Sequence, residues 1–148
     1  MSRKKAREIV LCLVFEKEYQ KEAGCEKLYQ NLLNLAENSE DLQELKNSLT
    51  ESDKNYIKET FFGVFENLEQ IDDAIMGSVI GWNYNRISKI SMALLRIAVY
   101  EIIKGGEDVT PSVAINEAVE LSKIYDDSKA YGFVNGVLGS VAKNFRSA

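Results

Sequence analysis

With 148 residues, no histidine, one proline and two cysteines, the chain lacks the side chains on which most zinc sites, histidine-based catalysis and disulfide scaffolds are built. Its formal charge of −5 conceals a segregation: Arg3, Lys4, Lys5 and Arg7 put four cations in the first seven residues, leaving 14 basic against 23 acidic side chains in the remainder. A chain of this length is expected to fold as one domain, residues 1–148, burying roughly 68–70% of its unfolded surface.

Seven consecutive apolar residues, Ile9 to Phe15, follow the cations. That is the layout of a secretory signal, but Glu16, Lys17 and Glu18 stand where a small-residue cleavage site belongs. The run also falls well short of the roughly 18 apolar residues of a membrane span. A soluble, unprocessed, cytoplasmic protein without membrane contact is expected, with the redox state of Cys12 and Cys25 left open.

Ala6, Ile9, Val10, Leu13 and Val14 predict a helix over about 3–20, which Leu11, Cys12 and Phe15 widen almost to a full apolar circle. Gly24 precedes a second helix, about 26–37, with Leu28, Leu32 and Leu35 inward. Asn38, Ser39 and Glu40 open a polar connection with room for a short helical turn. Thr50-Glu51-Ser52-Asp53 is a capping arrangement that starts a long helix. Tyr56, Phe61, Phe65, Leu68, Ile71 and Ile75 form its buried side, out to about Val79.

Gly81-Trp82-Asn83-Tyr84-Asn85 breaks the pattern. A helix over about 89–104 is apolar on nearly every side except at Arg96 and Glu101, and Gly105-Gly106 ends it. Thr110-Pro111 pairs a capping hydroxyl with proline at the first helical position. It starts a helix over about 112–125 with Val113, Ala114, Ala118, Leu121 and Ile124 inward. A last helix covers about 129–145. No strand pattern occurs, so the fold class is all-α with about six to seven helices.

The sequence carries no phosphate-binding glycine loop, no His-containing dyad and no cysteine cluster. Glu117 and Glu120, three apart, read more simply as a solvated edge beside Lys123 than as paired catalytic carboxylates. Binding, without enzymatic activity, cofactor or metal, is the expectation. Charge points to where. Between Glu37 and Asp73 eleven acidic residues face three basic ones, while Arg86, Lys89, Arg96 and Lys104 face only Glu101.

On a helix Arg3 and Arg7 share a face, with Lys4 close beside. Cations in a first turn oppose the helix macrodipole by roughly 0.3–1 kcal/mol each. An incoming phosphate reverses that sign. A phosphate-binding tip and a merely solubilising terminus both fit; in either case replacing the four by glutamine is expected to leave folding intact. At the other end, "AYGFVNGVLGSV" sets Phe133 about a quarter-turn from the stripe Val134, Leu138 and Val141. Phe133 reads as core packing or as a stacking platform for a base, and Asn135 suits a base edge.

The segments "RKKARE" at 3–8, "LLRIAVYEI" at 94–102, "VAINEAVELSK" at 113–123 and "FVNGVLG" at 133–139, in that order, resemble the bacterial transcription antitermination factor NusB family over essentially the whole chain. Trp82 and Arg86 fit the same pattern. The resemblance implies two packed helical bundles and binding to boxA-type single-stranded RNA of nascent ribosomal transcripts. It also implies partnership with the small-subunit ribosomal protein NusE, and with elongating RNA polymerase through other Nus factors. By position it implies RNA contact through Arg3, Lys4, Lys5 and Arg7, with Phe133 and Asn135 nearby.

The chain departs from the family at Lys4 and Lys5, where arginine is common, at Ala130, where serine is, and at Ser91, where an acidic residue is frequent. The alternatives left open are a homodimeric protein-interaction module and a stand-alone relative of the N-terminal domain of rRNA cytosine methyltransferases. For the second, a chain ending at Ala148 is expected to lack methyltransferase activity. The NusE-facing surface is expected on the acidic second and third helices or around Tyr56 and Tyr84. Circular dichroism should report a predominantly helical protein, and a chelator should leave its melting curve unmoved.

Overall fold

The computed structural model describes residues 2–79, 87–105 and 109–147, and every regular element among them is an α-helix. The elements are α1 (Ser2–Tyr19), α2 (Cys25–Glu37), α3 (Glu40–Ser48), α4 (Glu51–Glu66), α5 (Leu68–Met76), α6 (Lys89–Lys104), α7 (Pro111–Tyr125) and α8 (Ala130–Ser147). The all-α class holds, and the count exceeds the expected six to seven for two local reasons.

The polar connection is itself α3. Ser39 Oγ accepts the Leu42 N–H at 3.4 Å, and Glu40 and Asp41 lie in the first turn, where the helix dipole favours them. None of its residues is buried, so it left no apolar stripe to read. The second reason is Asn67, which leaves the helical region (φ −117°, ψ 22°) and divides the expected long helix into α4 and α5. Asparagine is a weak helix former, and its own carbonyl accepts the first bond of α5 from the Ile71 N–H at 3.0 Å.

The chain divides into two compact units, one ending at Phe65 and the other beginning at Glu66. The boundary lies inside α4 and not in a Pro- or Gly-rich linker, so composition carries no sign of it. In the first unit α1 buries Ala6, Val10, Leu11, Leu13 and Val14, but Cys12 is exposed and the apolar circle stays open. In α2 Leu28 is fully buried, whereas Leu35, expected to point inward, is 61% exposed. A run of edge-to-face rings, Tyr29–Phe62–Phe61–Phe65, with centroids 6.1, 5.8 and 5.7 Å apart, ties α2 to α4.

The second unit is built around α6, whose burial extends all round, as an apolar sequence demands. Leu95, Ala98, Val99 and Ile102 meet Ile71 and Ile75 of α5, Ala114 and Ala118 of α7, and Val134, Leu138 and Val141 of α8. Arg96, only 9% exposed, is tolerated there because Asp72 takes it bidentately, Nε to Oδ1 at 3.0 Å and Nη2 to Oδ2 at 3.1 Å. Along α7 the inward stripe is narrower than expected: Ala114, Ala118 and Leu121 are buried, while Val113 and Ile124 are 42% and 54% exposed.

Helix ends follow the sequence closely. Thr110 Oγ1 accepts the Val113 N–H at 3.2 Å, with Pro111 beginning α7. Gly105 closes α6 by donating its N–H to the Glu101 carbonyl, and any Cβ there would sit 2.2 Å from that oxygen, so only glycine fits. Gly106 and residues 81–85 lie outside the described residues.

The start of α6 is held from another helix. Ser88 Oγ accepts the Ser91 N–H at 2.9 Å, and the hydroxyls of Ser88 and Ser91 both donate to Asp126 Oδ2 at 2.6 Å, at the end of α7. Burial raises the Asp126 pKa. Hydrogen bonds from Ser88, Ser91 and the backbone at Asp127 and Ser91 outweigh that, so the net shift is downward. A lowered folded-state pKa contributes stability above the unfolded aspartate value and loses it as pH falls through the folded one. Asp126→Asn should therefore cost about 1 kcal/mol at neutral pH, the low end for a half-exposed charged acceptor. Thermal melts of both proteins should converge as the pH falls below the ordinary aspartate range and on through the lowered value of the folded carboxylate, where the wild-type side chain itself protonates.

Candidate nucleic-acid interface

The cations of α1 fall into two sets. Lys4 and Lys5 are exposed. Arg3 and Arg7, one turn apart, turn toward the start of α4. Arg3 Nε donates to Asp53 Oδ1 at 2.9 Å and its Nη2 to Ser52 Oγ at 3.0 Å. Its guanidinium carbon lies 4.5 Å from the centre of the Tyr56 ring, and that of Arg7 lies 5.5 Å from the same ring. Arg7 is only 7% exposed. The surface offered to solvent is therefore Lys4, Lys5 and the outer part of Arg3, whose side chain is 36% exposed.

Asp53 explains the geometry. Its N–H donates to Thr50 Oγ1 at 3.0 Å, while its Oδ2 accepts the Thr50 N–H at 3.2 Å, the reciprocal pair of a capping box. Its other oxygen, Oδ1, is the one that receives Arg3. A carboxylate 2% exposed needs both kinds of partner. Sequence reading placed Asp53 in the cap and Tyr56 on the buried side but missed their hold on α1. The usable signal was their i, i+3 spacing, which puts both on one face of α4.

Phe133 and Asn135 belong to the second unit. Phe133 is half-buried and packs against its core cluster, while Asn135 is exposed on α8. Gly132, Gly136 and Gly139 are exposed too, and a Cβ on any of them would meet nothing within 4 Å. Of the basic residues around α6, Arg96 is committed to Asp72 and Lys89 is exposed, while Trp82, Tyr84 and Arg86 lie outside the described residues.

Ser91, in place of an acidic residue, is buried and bonded to Asp126. Glu120 pairs with Lys123 at 3.5 Å on the surface, as expected of a solvated edge. Among the described residues no cluster of three or more acidic or cysteine side chains could hold a metal ion, and no helix is long and apolar enough to cross a membrane.

The model of the NusB family matches residues 4–143. The chain belongs to the NusB family. It is 39% identical over 146 residues to the transcription antitermination protein NusB of Clostridium perfringens (strain SM101 / Type A), covering 99% of this chain and 100% of that one. It is 38% identical over 143 residues to the NusB of Acetivibrio thermocellus, covering 97% and 90%.

Among solved structures, NusB of T. maritima superposes with a TM-score of 0.77 at 29% identity, covering 95% of this chain and 90% of its own. A structure of antitermination factors NusB and NusE in complex with double-stranded RNA gives 0.74 at 25% identity, covering 97% of each chain. The Clostridium and Acetivibrio relatives are both named as transcription antitermination proteins.

The two sets of cations should separate experimentally. The expectation that all four are dispensable for folding is corrected for Arg3 and Arg7, because removing them strands a buried carboxylate and uncovers the Tyr56 ring. Arg3→Gln with Arg7→Gln should cost about 1–3 kcal/mol in chemical denaturation. Lys4→Gln with Lys5→Gln should change stability by less than about 0.5 kcal/mol, as surface substitutions do.

Proposed function

We propose that this NusB-family protein is a transcription antitermination factor that binds boxA-type RNA of nascent ribosomal transcripts jointly with NusE. In the cytoplasm that assembly joins elongating RNA polymerase through other Nus factors. The observation that carries the reading is the cationic tip of α1. In a chain of net charge −5, Lys4 and Lys5 project into solvent beside an arginine whose guanidinium is already oriented. Such charges oppose the helix dipole, and Lys4 and Lys5 have no acidic partner among the described residues, so a polyanion is the ligand that rewards their position.

The contacts divide by chemistry. Lys4, Lys5 and the outer edge of Arg3 neutralise phosphates, while buried Arg7 supports them from the next turn. On α8, Asn135 is free to meet a base edge. Phe133, anchored in the core and partly exposed, contributes stacking only over the portion of its ring that reaches the surface. The open strip at Gly132, Gly136 and Gly139 lets a backbone or a base lie close to the helix.

The test is an RNA titration at several salt concentrations, with a boxA-type single strand and with a duplex, each with and without NusE. On a single strand each phosphate contact contributes about 0.7 to the slope of log affinity against log salt. Lys4→Gln with Lys5→Gln should therefore flatten the slope by about 1.4 and weaken binding similarly for different sequences. NusE should tighten binding. Equal RNA affinity with and without saturating, demonstrably bound NusE would count against the joint surface.

A further inference from the structure

We infer that Tyr56 is a positioning residue for RNA binding: with Asp53 it holds the Arg3 guanidinium in a fixed orientation, so that α4 sets the phosphate affinity of α1. The inference rests on the reading of α1 as an RNA-contacting tip and extends it to a helix whose residues need not touch RNA.

A free arginine at a helix start samples many rotamers, and locking it on a phosphate costs side-chain entropy. Here that ordering is complete before any ligand arrives. Arg3 has five N–H donors in a rigid fork. Asp53 Oδ1 takes the Nε donor and Ser52 Oγ takes one from Nη2, which leaves three for a ligand. The Tyr56 ring, 4.5 Å from the guanidinium carbon, supports the plane of the fork by cation–π contact. Arg7 closes on the same ring at 5.5 Å, so the ring is clamped from the turn that follows.

Asp53 is fixed independently by its capping box with Thr50, so the anchor does not move with Arg3. A phosphate that meets the remaining donors forms charge-assisted bonds with an arginine already aimed. The ammonium groups of Lys4 and Lys5, exposed and unsupported by any ring among the described residues, supply charge without direction.

The experiment is a double-mutant cycle on the full chain with a boxA-type single-stranded RNA oligonucleotide, read as affinity and salt slope, with melting curves for every variant. Arg3→Gln should weaken binding about five- to tenfold and flatten the salt slope by about 0.7. Tyr56→Leu should do nearly the same, although no charge has been removed, and Tyr56→Leu with Arg3→Gln should be no worse than Arg3→Gln alone. Tyr56→Phe keeps the ring and should restore both affinity and slope.

If Arg3→Gln weakens binding while folded Tyr56→Leu leaves affinity and slope unchanged, the positioning role is overturned and the RNA reading stands. Additive losses in the double variant would assign Tyr56 a direct RNA contact instead, which also overturns it. An unaffected Arg3→Gln protein removes the arginine contact and the inference with it.

Discussion

A buried carboxylate must spend every lone pair, and in the first unit that constraint falls on Asp53. Its desolvation is offset in part because one oxygen accepts the Thr50 N–H and the other accepts Arg3 Nε. The first contact starts α4; the second fixes the beginning of α1. One side chain thus joins a helix boundary to a candidate ligand surface. Tyr56, one turn on, extends the same join by taking both arginines on its ring.

The second unit solves its polar problems in a related way. Two carboxylates there settle polar groups in partly buried places. Asp126 gathers the hydroxyls of Ser88 and Ser91 at the start of α6, and Asp72 accepts Arg96 on the flank of the same helix. An apolar α6 packed on three sides supplies the burial; the carboxylates decide which rotation about its axis is acceptable. Ser91 illustrates the point. An acidic residue there would bring a second negative charge against Asp126, whereas a hydroxyl donates to it.

A functional consequence follows from how rigid each surface is. Arg3 is held by two hydrogen bonds and a ring before any ligand arrives, while Lys4, Lys5 and Asn135 are exposed side chains free to adapt. Binding that combines one oriented guanidinium with mobile charges has direction from the first and range from the second. Phe133 lies between these extremes, packed against the core yet partly exposed. The glycines of α8 add access without adding contacts of their own.

Much of this protein was legible in its residues. Helical periodicity, the Thr110-Pro111 start, the Gly105 stop and the Thr50–Asp53 box are local signals, and local signals survive because they depend only on neighbours a few positions apart. The family was legible for the same reason, through short segments in a fixed order. Residue order showed room for only a short helical turn where α3 runs nine residues and buries nothing, and it hid the break at Asn67, which neither proline nor glycine marks.

Tertiary structure alone decided which cations are free. Arg3, Lys4, Lys5 and Arg7 look equivalent as a run, but Asp53 is 50 residues from Arg3 along the chain and spacing cannot report that it waits there. Burial of a charge depends on what folds against it, and that is a property of contacts between distant segments.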